Sequence, residues 1–118
     1  AITDASAESH LLDALITRNE PSAFVPDILG AGKHGDYKYN YTIGGPSCAA
    51  GDVLGNYSFK NPLKEGDKLI FLDTAYYTIV KTNMFNGTPL PSIATLDKND
   101  KIKVVRRFDY ADYERAMG

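Results

Sequence analysis

This chain has one cysteine, two histidines and no long apolar run, and each shortage removes a class of function. A single thiol cannot close an internal disulfide, so the fold is expected to stand without covalent staples, in a reducing, cytoplasmic setting. His10 and His34 are far apart and join no Cys/His cluster, so no metal site is expected. No stretch approaches the roughly 18 apolar residues needed to cross a bilayer, and the residues after Ala1 do not form the apolar core of a secretion signal. Charge lacks a dominant sign as well. With 13 Lys+Arg against 15 Asp+Glu and a net charge of -2, nothing attracts nucleic acid, and the pair Arg106-Arg107 is too short to be a patch. Asn40-Tyr41-Thr42, Asn56-Tyr57-Ser58 and Asn86-Gly87-Thr88 fit the glycosylation acceptor pattern, but without a secretion signal they are read as coincidence.

What is present suits one domain. The 118 residues are 43% hydrophobic and 24% charged, enough for a modest core. Residues 6–16 are the best helix candidate, with Leu11, Leu12, Leu15 and Ile16 at helical spacing. Pro21, Pro26, Gly30, Gly32 and Gly35 make residues 19–36 a loop. From Asp36 onward the period is that of strands. Tyr37, Tyr39, Tyr41 and Ile43 alternate with polar residues, and residues 53–60 form a second strand bent at Gly55. Glu65-Gly66-Asp67 signals a turn, the apolar run 68–73 a third strand, and residues 76–82 a fourth. Residues 92–96 and 102–106 pair as a hairpin across Asp97-Lys98-Asn99-Asp100, and a short helix over 109–117 begins at Asp109 as N-cap. This order predicts a mainly β fold, a barrel or sandwich.

The most informative run is Gly44-Gly45-Pro46-Ser47-Cys48-Ala49-Ala50-Gly51-Asp52. It places the only thiol four residues before a carboxylate, in a loop of small residues between two strands. A thiol is largely protonated at neutral pH and can give up a proton, while a carboxylate can hold a cation. On spacing alone Cys48 could equally be a packed thiol and Asp52 a turn aspartate.

That run resembles the cysteine loop in the C-terminal domain of the pyridoxal-phosphate-dependent decarboxylases, a family that includes ornithine and diaminopimelate decarboxylases. Three further stretches agree, in order. Asp4-Ala5-Ser6-Ala7-Glu8-Ser9-His10-Leu11-Leu12-Asp13 resembles the segment where such chains leave their barrel. Tyr77-Thr78-Ile79-Val80-Lys81-Thr82-Asn83-Met84-Phe85-Asn86-Gly87 resembles the family's tyrosine strand ending in Phe-Asn-Gly, and Arg106-Arg107-Phe108-Asp109-Tyr110-Ala111-Asp112-Tyr113 the family's C-terminus. The resemblance runs from about Asp4 to the end. It implies a Greek-key-like β-barrel that follows a β/α barrel carrying pyridoxal phosphate and its Schiff-base lysine. The chain, which begins at Ala1, is therefore expected to be the C-terminal part of a longer enzyme, and none of its nine lysines is given the cofactor's role. Residues 1–35 are expected to act as connector and packing surface toward that barrel, and residues 36–118 as the β-barrel domain.

The same resemblance implies roles. Cys48 would donate the proton that replaces the lost carboxylate, in the active site of the other subunit of a homodimer. Asp13 and Asp52 would hold the substrate's amines. Tyr77 would donate to the cofactor phosphate, with Tyr76 competing for that role on the opposite face of a strand. Phe85 would line the cavity near the cysteine, or else be an ordinary core aromatic, and His10 would pack or support. Ornithine decarboxylases place an acid, and diaminopimelate decarboxylases a glutamate, immediately after the cysteine. Here that residue is Ala49, and the acid falls at Asp52. This favours the branch acting on carboxynorspermidine and carboxyspermidine in polyamine biosynthesis. One departure follows Asp13, where a glutamate and Pro-Tyr-Arg-Pro give way to Ala14-Leu15-Ile16-Thr17-Arg18-Asn19-Glu20-Pro21. Two alternatives stay open: a diaminopimelate-type enzyme, and a free-standing β-barrel binding module whose cysteine only packs.

Overall fold

The computed structural model describes residues 1–16 and 25–118. Residues 17–21 of the Ala14–Pro21 departure and the first part of the expected 19–36 loop lie outside the described residues. The alternating tyrosine segment forms β2 (Tyr39–Gly44), which pairs antiparallel with β3 (Val53–Phe59). A two-residue strand, β1 (Gly32–Lys33), adds to the far edge of β3, so the first sheet runs β1-β3-β2. The register slips between Ile43 and Gly44: Ile43 faces Gly55 while Gly44 faces Val53, leaving Leu54 as the bulged residue. The bend falls at glycine because a Cβ on Gly55 would sit 2.8 Å from the Tyr57 ring.

The core gathers on one side of this sheet. Ile43, Leu54, Tyr57 and Phe59 are buried together with Ala7, Leu11 and Ala14 from the start of the chain, so residues on both sides of position 35 share one interior. The N-terminal segment is also tied to the end of β2: the Thr3 amide donates to the Gly44 carbonyl at 2.9 Å, and the Gly44 amide donates to the Ala1 carbonyl at 2.9 Å. The Tyr57 hydroxyl donates to the Pro26 carbonyl at 2.6 Å, and its ring meets Phe71 edge-on.

Burial first, and the negative charge of Asp27 second, push the Tyr57 hydroxyl up to about 12. The folded chain therefore holds this proton more tightly than the unfolded chain, whose tyrosine titrates near 10. The resulting stability is complete below about pH 10 and is lost as pH rises through about 12. Tyr57→Phe is expected to cost about 1–3 kcal/mol near neutrality, because the buried Pro26 carbonyl loses its donor. It should also flatten the alkaline loss. Urea unfolding at pH 7 and at two alkaline pH values tests both effects, and an undiminished alkaline slope in the variant would refute the assignment.

Three expectations change. The helix expected over 6–16 is confined to α1 (Leu12–Ile16). Its first half is a turn, because the Ser6 amide donates to His10 Nδ1 at 3.0 Å and the Ser6 hydroxyl is drawn to Asp52, side-chain bonds that compete with a helical ladder. The expected third strand over 68–73 shrinks to one antiparallel bridge between Ile28 and Phe71. Leu29 donates to Ile70 and Leu72 to Asp27, and then the chain turns away at Gly30, so no ladder can lengthen.

The expected fourth strand is a helix, α2 (Ala75–Lys81). Its β-branched residues favour strand, but tertiary contacts override them. Thr74, Thr78 and Thr82 lie one turn apart on the half-buried side, the Thr82 amide donates to the Thr78 carbonyl at 2.9 Å, and Lys81 reaches α1.

The later elements match expectation. β4 (Ile93–Leu96) and β5 (Ile102–Arg106) form the second, two-stranded sheet. A turn at 97–100 joins them, where Asp97 Oδ1 accepts from the amides of Asn99 and Lys101. α3 (Tyr110–Met117) opens with a capping box: Asp109 accepts from Ala111, and Asp112 reaches back to the Asp109 amide. Among the described residues the strands make two small sheets with three short helices and no closed barrel.

Candidate active site

The loop that carries Cys48 is built around a single carboxylate. Its ends close where the Gly45 amide donates to the Asp52 carbonyl at 2.9 Å and the Asp52 amide donates to the Ala49 carbonyl at 3.0 Å. Inside the loop, the Ser47 amide donates to Asp52 Oδ2 at 2.9 Å, and the Ala49 amide donates to the Ser47 hydroxyl at 3.3 Å. From the other end of the chain, the Ser6 hydroxyl donates to Oδ2 at 3.0 Å and the Ala7 amide to Oδ1 at 2.7 Å. Cys48 projects from this frame as an exposed free thiol.

Asp52 itself is only 6% exposed. Burial alone would raise its carboxyl. The hydrogen bonds from Ser47, the Ala7 amide and Ser6 outweigh that penalty and hold it below the usual carboxylate range, so it stays ionised. An acid standing open beside the thiol was expected. The structure instead turns Asp52 inward with both oxygens occupied, because the donors that claim it lie about 45 residues earlier in the chain.

A second grouping forms between α1 and α2. The Lys81 ammonium contacts Asp13 Oδ1 at 2.5 Å and lies 4.9 Å from the centre of the Tyr77 ring. Asp13 and Tyr77, singled out separately in the sequence, are thus joined through a lysine that sequence reasoning passed over. The available signal was spacing, since Tyr77 and Lys81 stand one helical turn apart once residues 75–81 are read as helix. Tyr76 and Tyr77 do not oppose each other across a strand. Both are exposed on the helix, Tyr77 by 64%, with rings 6.3 Å apart.

Phe85 lies in a short 3-10 turn, residues Phe85–Gly87, and is 48% exposed. Asn83 fastens this turn: its amide donates to the Ser9 carbonyl, its side-chain nitrogen to the Glu8 carbonyl, and its side-chain oxygen accepts from the Phe85 amide. The open cavity beside Phe85, about 650 Å³, is closed by Tyr113, Ala116 and Met117 of α3, and Cys48 does not line it. His10 serves the fold. Its Nδ1 accepts from Ser6, which leaves Nε2 to donate to the Pro89 carbonyl at 3.2 Å. Among the described residues no three His, Cys, Asp or Glu side chains gather closely enough to hold a metal ion, and no helix is long and apolar enough to cross a membrane.

The exposed thiol thus stands on the loop between β2 and β3, and an acid, a cation and a phenol gather between α1 and α2. Comparison with known proteins places the chain in a family. Residues 1–75 match the family model for the pyridoxal-dependent decarboxylase C-terminal sheet domain. The chain belongs to this family. It is 40% identical to a carboxynorspermidine/carboxyspermidine decarboxylase of Campylobacter jejuni, across 96% of the chain and 31% of that protein. It is 39% identical to a carboxyaminopropylagmatine decarboxylase of Synechocystis, across 100% of the chain and 29% of that protein. A crystal structure of carboxynorspermidine decarboxylase from Campylobacter jejuni, complexed with norspermidine, superposes with a TM-score of 0.86 at 35% identity, over 98% of the chain and 33% of that structure. The chain therefore spans about a third of the length of these relatives and corresponds to their sheet domain.

The family uses pyridoxal phosphate. The residues present suit a supporting place beside that cofactor. Tyr77 is an exposed residue of α2, and a phenolic hydroxyl of its kind can donate to a phosphate oxygen.

Proposed function

We propose that this chain is the C-terminal part of a decarboxylase that removes the α-carboxylate of carboxynorspermidine or carboxyspermidine in polyamine biosynthesis. The observation that carries the reading is the 40% identity to the Campylobacter jejuni enzyme along almost the whole chain, cysteine loop included. The missing two-thirds would be a β/α barrel holding the cofactor and its lysine, with residues 1–35 packed toward it and residues 36–118 completing a Greek-key-like barrel.

Exposed apolar side chains on two elements support the need for partners. Tyr76, Tyr77, Ile79 and Val80 of α2 are exposed, as are Ile102, Val104 and Val105 of β5. Surfaces of this kind mark interfaces, and here they would meet the barrel and a second subunit of a homodimer in the cytoplasm.

Each residue then has a task. Pyridoxal phosphate, when bound, supplies a sink for the electron pair left by the departing carboxylate. Tyr77 would hold its phosphate through the phenolic hydroxyl. Cys48 would hold a proton at Sγ and present it where the carboxylate has left, in the partner subunit's site. Asp13 would hold a substrate amine. It already accepts an alkylammonium of the same chemistry, that of Lys81. Phe85 would exclude water from the chain of methylenes between the amines.

A substrate panel on the full-length enzyme tests the reading. The kcat/KM for carboxynorspermidine and carboxyspermidine is expected to exceed that for diaminopimelate and ornithine by at least about 100-fold, since a site built to pair polar groups discriminates strongly. Carboxyaminopropylagmatine belongs in the panel because the Synechocystis relative carries that name at nearly equal identity. Preference for diaminopimelate would overturn the choice of substrate. Absence of any decarboxylation by the loaded full-length protein would favour a binding module.

A further inference from the structure

Asp52 has no part in the chemistry above, yet five of the hydrogen bonds that shape and anchor the cysteine loop converge on it. Its side chain takes the amide of Ser47, the residue before Cys48, and its own amide holds the carbonyl of Ala49, the residue after. Its carbonyl holds the Gly45 amide, closing the loop at its root. The remaining carboxylate capacity anchors the loop to the body of the domain through Ser6 and Ala7. Space around the carboxylate is filled. A Cβ on Gly45 would stand 2.4 to 2.6 Å from its carboxyl atoms.

We infer that Asp52 is a positioning residue: it fixes the backbone on both sides of Cys48, and so the direction in which the thiol leaves the loop, without touching the substrate. The need for such a device follows from composition. A loop of Gly, Ser and Ala has little side-chain packing to hold it and much backbone freedom to lose. Proton delivery tolerates little error, and a misplacement of about 1 Å can cost about 100-fold in rate. A buried carboxylate accepting three bonds restrains the loop where no side-chain packing could. Because its three partners are all donors, an amide in its place would turn an N–H toward at least one of them.

The inference rests on the decarboxylase reading, and the test separates the two. In the full-length holoenzyme, Asp52→Asn is expected to lower kcat for the carboxylated triamine about tenfold or more while KM moves less than about twofold. Amide exchange in the peptide spanning 45–51, followed by mass spectrometry, should quicken about tenfold or more, while the peptide spanning 56–59 of β3 should hold its protection. A raised KM with kcat retained would mean that the carboxylate touches the substrate, and would overturn the inference. Unchanged kcat and unchanged exchange would also overturn it.

If Asp52→Asn does not fold, Ser6→Ala removes one of the three donors and keeps the carboxylate. It is expected to shift kcat and loop exchange a few-fold in the same directions, and no shift in either would be equally fatal. If the wild-type enzyme decarboxylates no carboxylated triamine, the assigned reaction fails alone. The exchange measurement then still decides whether Asp52 holds the loop.

Discussion

Cys48→Ala is expected to lower kcat for the carboxylated triamine by about 100- to 10,000-fold in the full-length enzyme, the range a positioned proton donor contributes. KM should change little, because in the proposed role the thiol delivers a proton and binds no amine. Stability should be nearly untouched, since the side chain is exposed and makes no packing contact whose loss would leave a cavity. Cys48→Ser separates donor from shape. The hydroxyl is a far weaker acid than the thiol, so serine is expected to restore only a small part of the rate. A Cys48→Ala enzyme turning over at the wild-type rate with the wild-type product would remove the assignment.

The largest effect on stability is expected from Leu54→Ala. Leu54 is 1% exposed, sits at the bulge of β3 and packs in the same core as Ile43, Leu11 and Phe59. Removing its isobutyl group should cost about 2–5 kcal/mol, the lost transfer free energy plus the cavity left behind. Lys98→Ala is the control, since Lys98 is exposed in the 97–100 turn and its loss should stay within about 0.5 kcal/mol. Urea unfolding of both variants checks the contrast. A loss under about 1 kcal/mol for Leu54→Ala would mean that the two strands and the N-terminal segment do not share one interior.

Part of the fold could be read directly from residue order. The Tyr37 to Ile43 alternation survives as β2 because one face of that strand is buried against the core and the other meets water. The hairpin across Asp97 and the cap at Asp109 are local devices, in which a side chain satisfies backbone groups a few residues away. Of the three misread stretches, the two expected strands failed for one reason, which is that their partners lie far off in sequence. Residues 68–73 are apolar because Leu69 and Phe71 lean on the core, but the facing segment at 27–29 supplies one bridge and turns away. Residues 75–81 carry strand-favouring side chains, yet Asp13 and the half-buried threonines draw them into a helix. Threonine spacing left the helical period invisible to a search for apolar residues.

The site divides along the same line. Residue order alone was enough to place a thiol four positions before an acid, in a loop too poor in side chains to hide it, and the exposed Cys48 agrees. Asp13 and Tyr77 were singled out by the family resemblance and not by spacing. Folding settled which way the acid faces. The donors of Ser6 and Ala7 claim the Asp52 carboxylate from 46 and 45 residues away, and no local pattern announces them. Folding likewise linked Asp13 to Tyr77 through Lys81. Chemical identity and short-range spacing are properties of the chain as written. The direction of a side chain depends on which distant donors reach it first, and that is known only once the chain has closed on itself.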